Sequence, residues 1–236
     1  MPSNGLHDWS GPEDIIAYCA RVSNPANQDN LLTAPKLIKY LIRKSHWSPF
    51  EMVDVTFEIV TSRAIARQIL RHRSFSFQEF STRYAEVDTD KPIVNFPRKQ
   101  DHKNRQNSIP LDLYDINENV LGCHWREKVR ELNAAVSDAY TWGLEQGLAK
   151  ECVRDVLMEG VTPTRMYMKG SMRSWFHYCL VRMHPGTQKE HRDIAEAIWK
   201  ILQSEFSFAK TIDMPLLAIA YQNMFEHALE ECIQND

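Results

Sequence analysis

The 236-residue chain has ordinary globular proportions, with 43% hydrophobic and 25% charged residues. Its net charge of −3 argues against a protein that coats nucleic acid through its overall field. The five cysteines are scattered, odd in number and without a CxxC pair, so they indicate neither a disulfide framework nor a metal site and fit a reducing cytoplasm. No signal peptide or membrane span is expected, because no apolar run is long enough or suitably placed.

The first quarter of the chain predicts two helices and a strand. Apolar residues recur at helical spacing over residues 13–21 and 35–44. Residues 53–59 alternate apolar and polar side chains, the period-2 pattern of a half-buried strand. The pattern becomes helical at Ser62, a residue type favoured as N-cap.

The middle of the chain predicts a long loop followed by a long helix. Residues 88–117 are rich in Asp, Asn, Pro and Lys and predict a partly mobile loop containing a strand fragment over 92–96. Residues 118–150 predict an amphipathic helix that Gly143 and Gly147 break or bend. Its apolar side is expected to comprise Val120, Leu121, Trp125, Val129, Leu132, Ala135 and Val136.

The last third predicts a strand over 161–170, a helix capped by Ser171, and a long helix after Thr187. Trp175, Tyr178 and Trp199 are expected in the core, because aromatics at helical spacing usually pack there. Without repeats or a clear linker, the pattern predicts one α+β domain over residues 1–236, with a mixed helix and antiparallel-sheet core and long C-terminal helices.

Residues 67–84, RQILRHRSFSFQEFSTRY, hold the densest chemical signal. Arginine forks match phosphate oxygens, and hydroxyls or backbone amides complete such a site, so the segment predicts binding of a nucleotide or dinucleotide. The alternative is a solvated helix face in which Arg63, Arg67 and Arg71 pair with Glu58 or Glu79. A basic loop cluster of Arg98, Lys99, Lys103 and Arg105 is expected to be solvated.

The spacing of the same segment resembles a family signature. Arg71-His72-Arg73, seven residues and then Ser81 resembles the RHR and S pattern of the flavin-dependent thymidylate synthases. The resemblance extends to residues 46–51, HWSPFE, and 20–23, ARVS, and to Arg173 through Arg182. It implies an α+β enzyme that methylates dUMP to dTMP with FAD, NADPH and methylenetetrahydrofolate, as a homotetramer whose active sites are shared between chains.

The resemblance also implies roles for individual residues. Flavin would be bound by Ser23, Ser48, Arg71, His72, Arg73, Glu79, Arg173 and His177. The substrate dUMP would be held by Gln68, Arg71, Glu79, Ser81, Arg83, Arg154 and Arg182. Arginines would hold the phosphate, and Gln68 or backbone groups would contact the uracil.

Four residues are expected to act in catalysis: Arg83, Ser81, His46 and Arg182. His46 resembles a position beside flavin and folate, where an imidazole donates a hydrogen bond or moves a proton. For Ser81 binding is favoured over nucleophilic attack, because its near neighbours in the motif include no His–carboxylate pair. Arginine donors that polarise the uracil carbonyls are one route to activating the ring.

Two other functions remain open. A flavoprotein reductase that binds a nucleotide without transferring carbon would oxidise NADPH but form no dTMP. A non-enzymatic RNA- or nucleotide-binding module would use the arginine cluster on phosphates and bind in a salt-dependent, flavin-free manner.

Overall fold

The computed structural model describes residues 9–212 and 214, which form helices and small sheets. The helices are α1 (Pro12–Ala20), α2 (Ala34–Arg43), α3 (Arg63–Ile69), α4 (Ile116–Glu145), α5 (Lys150–Val153), α6 (Met172–Arg182) and α7 (Lys189–Glu205). The strands are β1 (Asp54–Ser62), β2 (Ser76–Glu79), β3 (Arg98–Gln100), β4 (Ser108–Pro110) and β5 (Pro163–Ser171). This architecture confirms the α+β prediction. Within these residues no helix combines the length and apolarity that a membrane span requires.

The chain divides into two compact units. The first unit takes the described residues up to Val55, then Gly170–Met183, and the described residues from Ala195 onward. The second unit comprises Thr56–Lys169 and His184–Ile194. The expectation of a single domain over the whole chain stays a prediction.

Aromatic side chains build the core of the first unit. The rings of Phe50, Phe176 and Phe208 lie within 6.0 Å of one another, centroid to centroid, and all three are buried. Trp47 and Trp199 extend this cluster through Phe176. Each such tilted or edge-on pair adds about 0.5–1.5 kcal/mol beyond the burial of apolar area. The core placement expected for Trp175, Tyr178 and Trp199 is confirmed.

A three-stranded sheet in the order β1-β5-β2 organises the second unit. Strand β2 runs antiparallel to β5, with Ser76 opposite Lys169 and Glu79 opposite Met166. Along β5 the side chains alternate: Met166 and Met168 are buried, whereas the residues between and beside them are exposed. This alternation fixes which face of the sheet meets the core, because neighbouring strand residues point to opposite faces.

Two serines cap helices at the points where a strand ends and a helix begins. The Ser62 hydroxyl accepts a hydrogen bond from the Ile65 N–H at 3.4 Å, where β1 becomes α3. The Ser171 hydroxyl accepts one from the Ser174 N–H at 3.2 Å, where β5 becomes α6. Both caps satisfy helix N–H groups that otherwise lack a partner, so the positions predicted for these helix starts are confirmed.

The strand fragment predicted over residues 92–96 is wrong. These residues form no strand; Pro92 and Pro97 flank them and lack the N–H groups that a ladder needs. The Ile93 N–H instead donates to the Val161 carbonyl at 2.8 Å. The strands of this region are β3 and β4, which pair antiparallel.

Helix α4 ends near the predicted glycines, but Gly147 rather than Gly143 ends it. Gly147 has a φ of 75°, a left-handed conformation that glycine adopts without strain. Gly143 lies inside the helix, where an added Cβ would come within 2.4 Å of the Val153 side chain. Its missing side chain therefore permits close packing between the helix and α5.

One face of α4 is exposed and, apart from Lys128, apolar. Its positions recur at alternating four- and three-residue intervals, a heptad spacing, and we call them the α4 seam: Leu121, Trp125, Lys128, Leu132, Ala135, Ala139 and Trp142. Trp125, Leu132 and Trp142 are 55%, 60% and 59% exposed. The sequence assigned much of this face to the apolar side, yet its large side chains are exposed and cover no core among the described residues.

Candidate functional site

The arginines before the signature separate into different environments. Arg63 donates to Glu159 at 2.9 Å, and Arg67 lies 3.5 Å from Glu79. The alternative in which Glu79 pairs with a helix arginine is therefore realised for Arg67. Arg71 does not continue this helix face as expected, because α3 ends at Ile69.

Arg71 and Arg73 differ from these paired arginines. Both side chains are exposed, and within the described part of the chain neither makes a side-chain hydrogen bond or ion pair. Unpaired guanidinium groups this close together repel one another unless an anion neutralises them. His72 between them is half-buried, its ring 6.2 Å from the ring of His191 in an edge-on arrangement.

Gln68 is held at both ends of its amide. Its Nε2 donates to Oε1 of Gln188 at 2.6 Å, and its Oε1 lies 3.4 Å from Nδ1 of His191, which is fully buried. Gln188 and His191 come from the segment just before α7 and its first turn, far from Gln68 in sequence. The structure therefore joins the signature helix to the Gly186–His191 segment.

The expectation of a solvated basic loop cluster is wrong for Arg98, whereas Lys99, Lys103 and Arg105 are exposed as expected. The Arg98 guanidinium binds the Glu190 carboxylate with two hydrogen bonds of 2.6 and 3.0 Å, and both side chains are about 17% exposed or less. Its Nε also donates to the Ser108 hydroxyl at 2.7 Å. Burial is the largest single influence and acts to raise the pKa of Glu190, but the hydrogen bonds from Arg98, the backbone and Gln188, together with the Arg98 charge, outweigh it and the pKa is lowered.

Arg83 and Arg154 meet at Glu151. Arg83 donates to the Glu151 carboxylate from Nε at 3.3 Å and Nη2 at 3.1 Å, and Arg154 donates from Nε to the Glu151 carbonyl at 3.2 Å. Arg83 also lies over the Tyr84 ring, 5.6 Å from its centroid. Two arginines expected to bind the substrate are thereby brought together.

Ser81 and Glu79 are engaged locally. The Ser81 hydroxyl accepts from the Arg83 N–H at 3.4 Å, which bends the chain after β2. Glu79 accepts from the Thr164 hydroxyl at 3.1 Å, besides its contact with Arg67. The contact with Thr164 fixes Glu79 against β5, whereas the Ser81 contact is local to the signature.

In the first unit, Ser23 lies at a cavity of about 560 Å³. The cavity is lined by Ala20, Arg21, Ser23, Asn24, Asn27, Thr33, Lys36, Leu37 and Tyr40. The buried Arg21 supports its wall by donating to the Asn30 carbonyl and the Thr33 hydroxyl. His46 is exposed and packs edge-on against Tyr40, 6.1 Å between ring centroids, so the ring of Tyr40 joins His46 to this cavity.

Glu51 organises the other flavin candidates of the first unit. It accepts from Arg173 Nη1 at 3.0 Å and from the hydroxyl of Ser171. Ser48 begins the 3-10 helix Ser48–Met52 that carries this carboxylate, and His177 lies one turn after Arg173 on α6. Arg182 is half-buried at the last position of the same helix.

His177 is expected to titrate below the ordinary histidine value. Desolvation lowers its pKa from 6.5, and the nearby Arg173 charge lowers it further. The unfolded chain then binds a proton at higher pH than the folded chain, so stability falls as pH decreases from about 6.5 towards the lowered pKa. NMR titration of ¹³C-labelled histidine in the folded and the denatured protein checks this, with a His177→Gln variant to assign the resonance.

The substitution Arg173→Gln should raise the His177 pKa only part of the way, because it removes the smaller cause and leaves the desolvation. A His177 resonance that titrates at or above 6.5 in the unaltered protein contradicts the prediction.

Several residues of these clusters had no role in the sequence interpretation. They are Glu51, Glu151, Gln188, Glu190 and His191, together with Arg98 in its ion pair. Gln188, Glu190 and His191 stand in the segment GTQKEH at the start of the helix predicted after Thr187, and its density of polar side chains is the available signal. The sequence gives no signal for a role of Glu151, because a single exposed glutamate on a helix is an ordinary surface residue.

Comparison with known proteins defines the class first. The fold is shared with a UMP/dUMP methylase, PolB from Streptomyces cacaoi bound with 5-Br UMP, at a TM-score of 0.64 and 23% identity, covering 81% of this chain and 84% of that one. A family model described as thymidylate synthase complementing protein matches residues 6–206.

Sequence relatives then define the family. A probable flavin-dependent thymidylate synthase of Paramecium bursaria Chlorella virus 1 is 50% identical over 202 residues, 85% of this chain and 90% of the relative. The flavin-dependent thymidylate synthase of Synechocystis sp. is 51% identical over 199 residues, 83% of this chain and 86% of the relative. The chain belongs to the flavin-dependent thymidylate synthase family and is an enzyme of this type.

Proposed function

We propose that the chain methylates dUMP to dTMP with methylenetetrahydrofolate as carbon donor, FAD as the bound flavin and NADPH as reductant. The observation that carries the proposal is the pair of exposed, unpaired arginines, Arg71 and Arg73, in an otherwise acidic chain. They fit the pyrophosphate of FAD, which a simpler flavin lacks. A cytoplasmic location, expected from the scattered cysteines, stays a prediction.

The proposed flavin contacts come from two clusters. In the second unit Arg71, His72 and Arg73 would hold the pyrophosphate, with Glu79 beside them. In the first unit the flavin contacts would be Ser23 at its cavity, Ser48, Arg173 and His177. A bound reduced flavin would supply the hydride, and these residues would supply position and electrostatics.

The proposed dUMP site centres on the segment that begins at Gln68. Arg154 and Arg182 would bind phosphate oxygens, and Gln68 would contact the uracil. Arg83 keeps its Nη1 free of the Glu151 contact, so this group would donate to a uracil carbonyl oxygen as negative charge develops there. Ser81 would bind substrate, and His46 would donate a hydrogen bond or move a proton beside folate.

The homotetramer that the family resemblance implies stays a proposal, and the α4 seam supports one twofold contact between its copies. Leucine and tryptophan side chains more than half exposed along one helix face are rare in a stable monomer. Their heptad spacing matches the packing of one α-helix against another. A second copy of α4 offers the same self-complementary surface, as a twofold interface requires. Active sites shared between chains would follow from that assembly.

The test is a purified preparation examined for flavin absorbance and for tritium release from ring-labelled dUMP, with NADPH and methylenetetrahydrofolate under anaerobic conditions. Folate-dependent tritium release with dTMP formation supports the proposal. NADPH oxidation without dTMP points to a reductase without carbon transfer. A colourless protein that FAD does not reconstitute, and that binds nucleic acid in a salt-dependent manner, points to the non-enzymatic alternative.

Substituting Arg73→Gln should weaken FAD binding roughly tenfold or more, because one charge-assisted hydrogen bond is lost. Fluorescence titration of the apoprotein with FAD measures this. Arg105→Gln is the matched control, since Arg105 is another exposed arginine, located in the turn between β3 and β4. Equal affinities in the two variants contradict the assignment.

A further inference from the structure

Five side chains of the second unit form a polar chain that ends at Gln68. Arg98 donates to Glu190, Glu190 accepts from Nε2 of Gln188 at 3.0 Å, and Gln188 accepts from Gln68. His191 closes the chain on the carbonyl oxygen of Gln68. None of the three residues Arg98, Gln188 and Glu190 figures among the expected substrate contacts.

The chain has a fixed direction. Guanidinium groups only donate and an ionised carboxylate only accepts, so Gln188 must turn its NH₂ group towards Glu190. The side-chain oxygen of Gln188 therefore faces Gln68, which donates a hydrogen bond to it from its own NH₂ group. The carbonyl oxygen of Gln68 then faces His191, and Nδ1 of that ring carries the proton. The Arg98–Glu190 ion pair thus determines which way round the Gln68 amide lies.

One N–H and one oxygen lone pair of Gln68 remain available. An amide nitrogen has two hydrogens and a carbonyl oxygen two lone pairs, and the chain uses one of each. A ligand edge that offers an acceptor beside a donor satisfies both. Uracil presents O4 beside N3–H; cytosine presents the opposite order, an amino group beside an unprotonated N3.

We propose that Arg98, Glu190 and Gln188 are positioning residues that fix the Gln68 amide and thereby select uracil over cytosine in the bound nucleotide. The inference rests on the proposed binding of dUMP and adds the origin of its base selectivity. A fixed amide rejects cytosine because reversed order sets donor against donor and acceptor against acceptor. An amide free to rotate by 180° would accept either base.

The experiment measures dissociation constants of dUMP and dCMP by calorimetry on the assembled protein. In the Glu190→Gln variant, the new side chain can turn either its carbonyl oxygen or its NH₂ group towards Gln188. The side-chain amides of Gln188 and Gln68 are then free to rotate by 180°. We expect the preference for dUMP over dCMP to fall roughly tenfold or more. Asp193→Asn is the control: it neutralises another carboxylate on α7, which pairs with Lys189 at the surface, and should preserve the preference.

A double variant, Gln188→Glu with Glu190→Gln, tests the direction of the chain. It moves the carboxylate from position 190 to position 188, next to Gln68. There the carboxylate accepts a hydrogen bond from the Gln68 NH₂ group, whichever way the amide at position 190 is turned. The preference for dUMP should return to within about threefold of the original value, since one hydrogen bond is restored. A purely structural role predicts that two substitutions are at least as harmful as one.

Each result of these binding measurements supports or contradicts either the proposed function or the positioning role. An unaltered protein that fails to bind dUMP contradicts the proposed function itself. If it binds dUMP but Glu190→Gln keeps the full preference, or the double variant does not restore it, the positioning role is overturned. Should Glu190→Gln not fold because Arg98 loses its partner, Gln188→Met at an exposed position takes its place, and the same loss of preference is required.

Discussion

Replacing Arg83 by lysine should lower turnover about 100-fold, the loss usual for one donor that stabilises charge in a transition state. Arg83 binds the Glu151 carboxylate through Nε and Nη2 and keeps Nη1 for another partner. A lysine ammonium is a single point charge, so it cannot both bind Glu151 and reach a uracil carbonyl. Tritium release at saturating dUMP measures the effect on kcat.

The control for this substitution is Arg105→Lys. Arg105 is exposed and makes no side-chain contact within the described residues, whereas Arg98 is unsuitable because it belongs to the ion pair with Glu190. Turnover should stay within about twofold of the unaltered enzyme, as for an ordinary surface change. Similar losses in both variants would remove Arg83 from the catalytic group.

Introducing a charge into the α4 seam should dissociate the assembly. Trp125→Glu replaces a large apolar side chain, 55% exposed in the single chain, by a carboxylate that the proposed interface would bury without a partner. A central tryptophan contributes about 2 kcal/mol or more to an interface, so we expect smaller species and loss of activity together. Sedimentation velocity and the tritium assay measure the two effects.

Thr141→Glu adds the same charge to the same helix outside the seam. Residue 141 is exposed and lies more than 90° around the helix from the seam, so size and activity should be unchanged. A Trp125→Glu protein that remains a full-sized, active assembly would show that the seam does not hold the copies together.

The periodicity of the sequence was enough to find six of the seven helices of the described residues, but only two of their five strands, β1 and β5. The alternation over residues 53–59 and the caps Ser62 and Ser171 specify β1, α3 and α6 locally, through pleat geometry and N–H groups that need partners. Local patterns failed at residues 92–96, because flanking prolines and a backbone bond to Val161 outweigh strand propensity there.

Apolar periodicity also does not say what a face packs against. The same pattern that predicted the apolar side of α4 is compatible with a core and with an interface between copies. Burial in the structure separates the two: Val129 packs inside the chain at 9% exposure, whereas Leu132 on the neighbouring face is 60% exposed. The sequence shows the apolar stripe, but only the three-dimensional packing shows which of its residues are buried inside the chain and which are exposed.

By itself the sequence determined the family and the list of candidate residues, because the RHR and S spacing and the arginine-rich segment are properties of residues close together along the chain. The tertiary structure decided which arginines are already paired. It pairs Glu79, Glu151 and Glu190 with Arg67, Arg83 and Arg98, whereas Arg71 and Arg73 form no ion pair with the described residues. Such pairings join residues up to 92 positions apart, and only folding brings their charges within hydrogen-bonding distance.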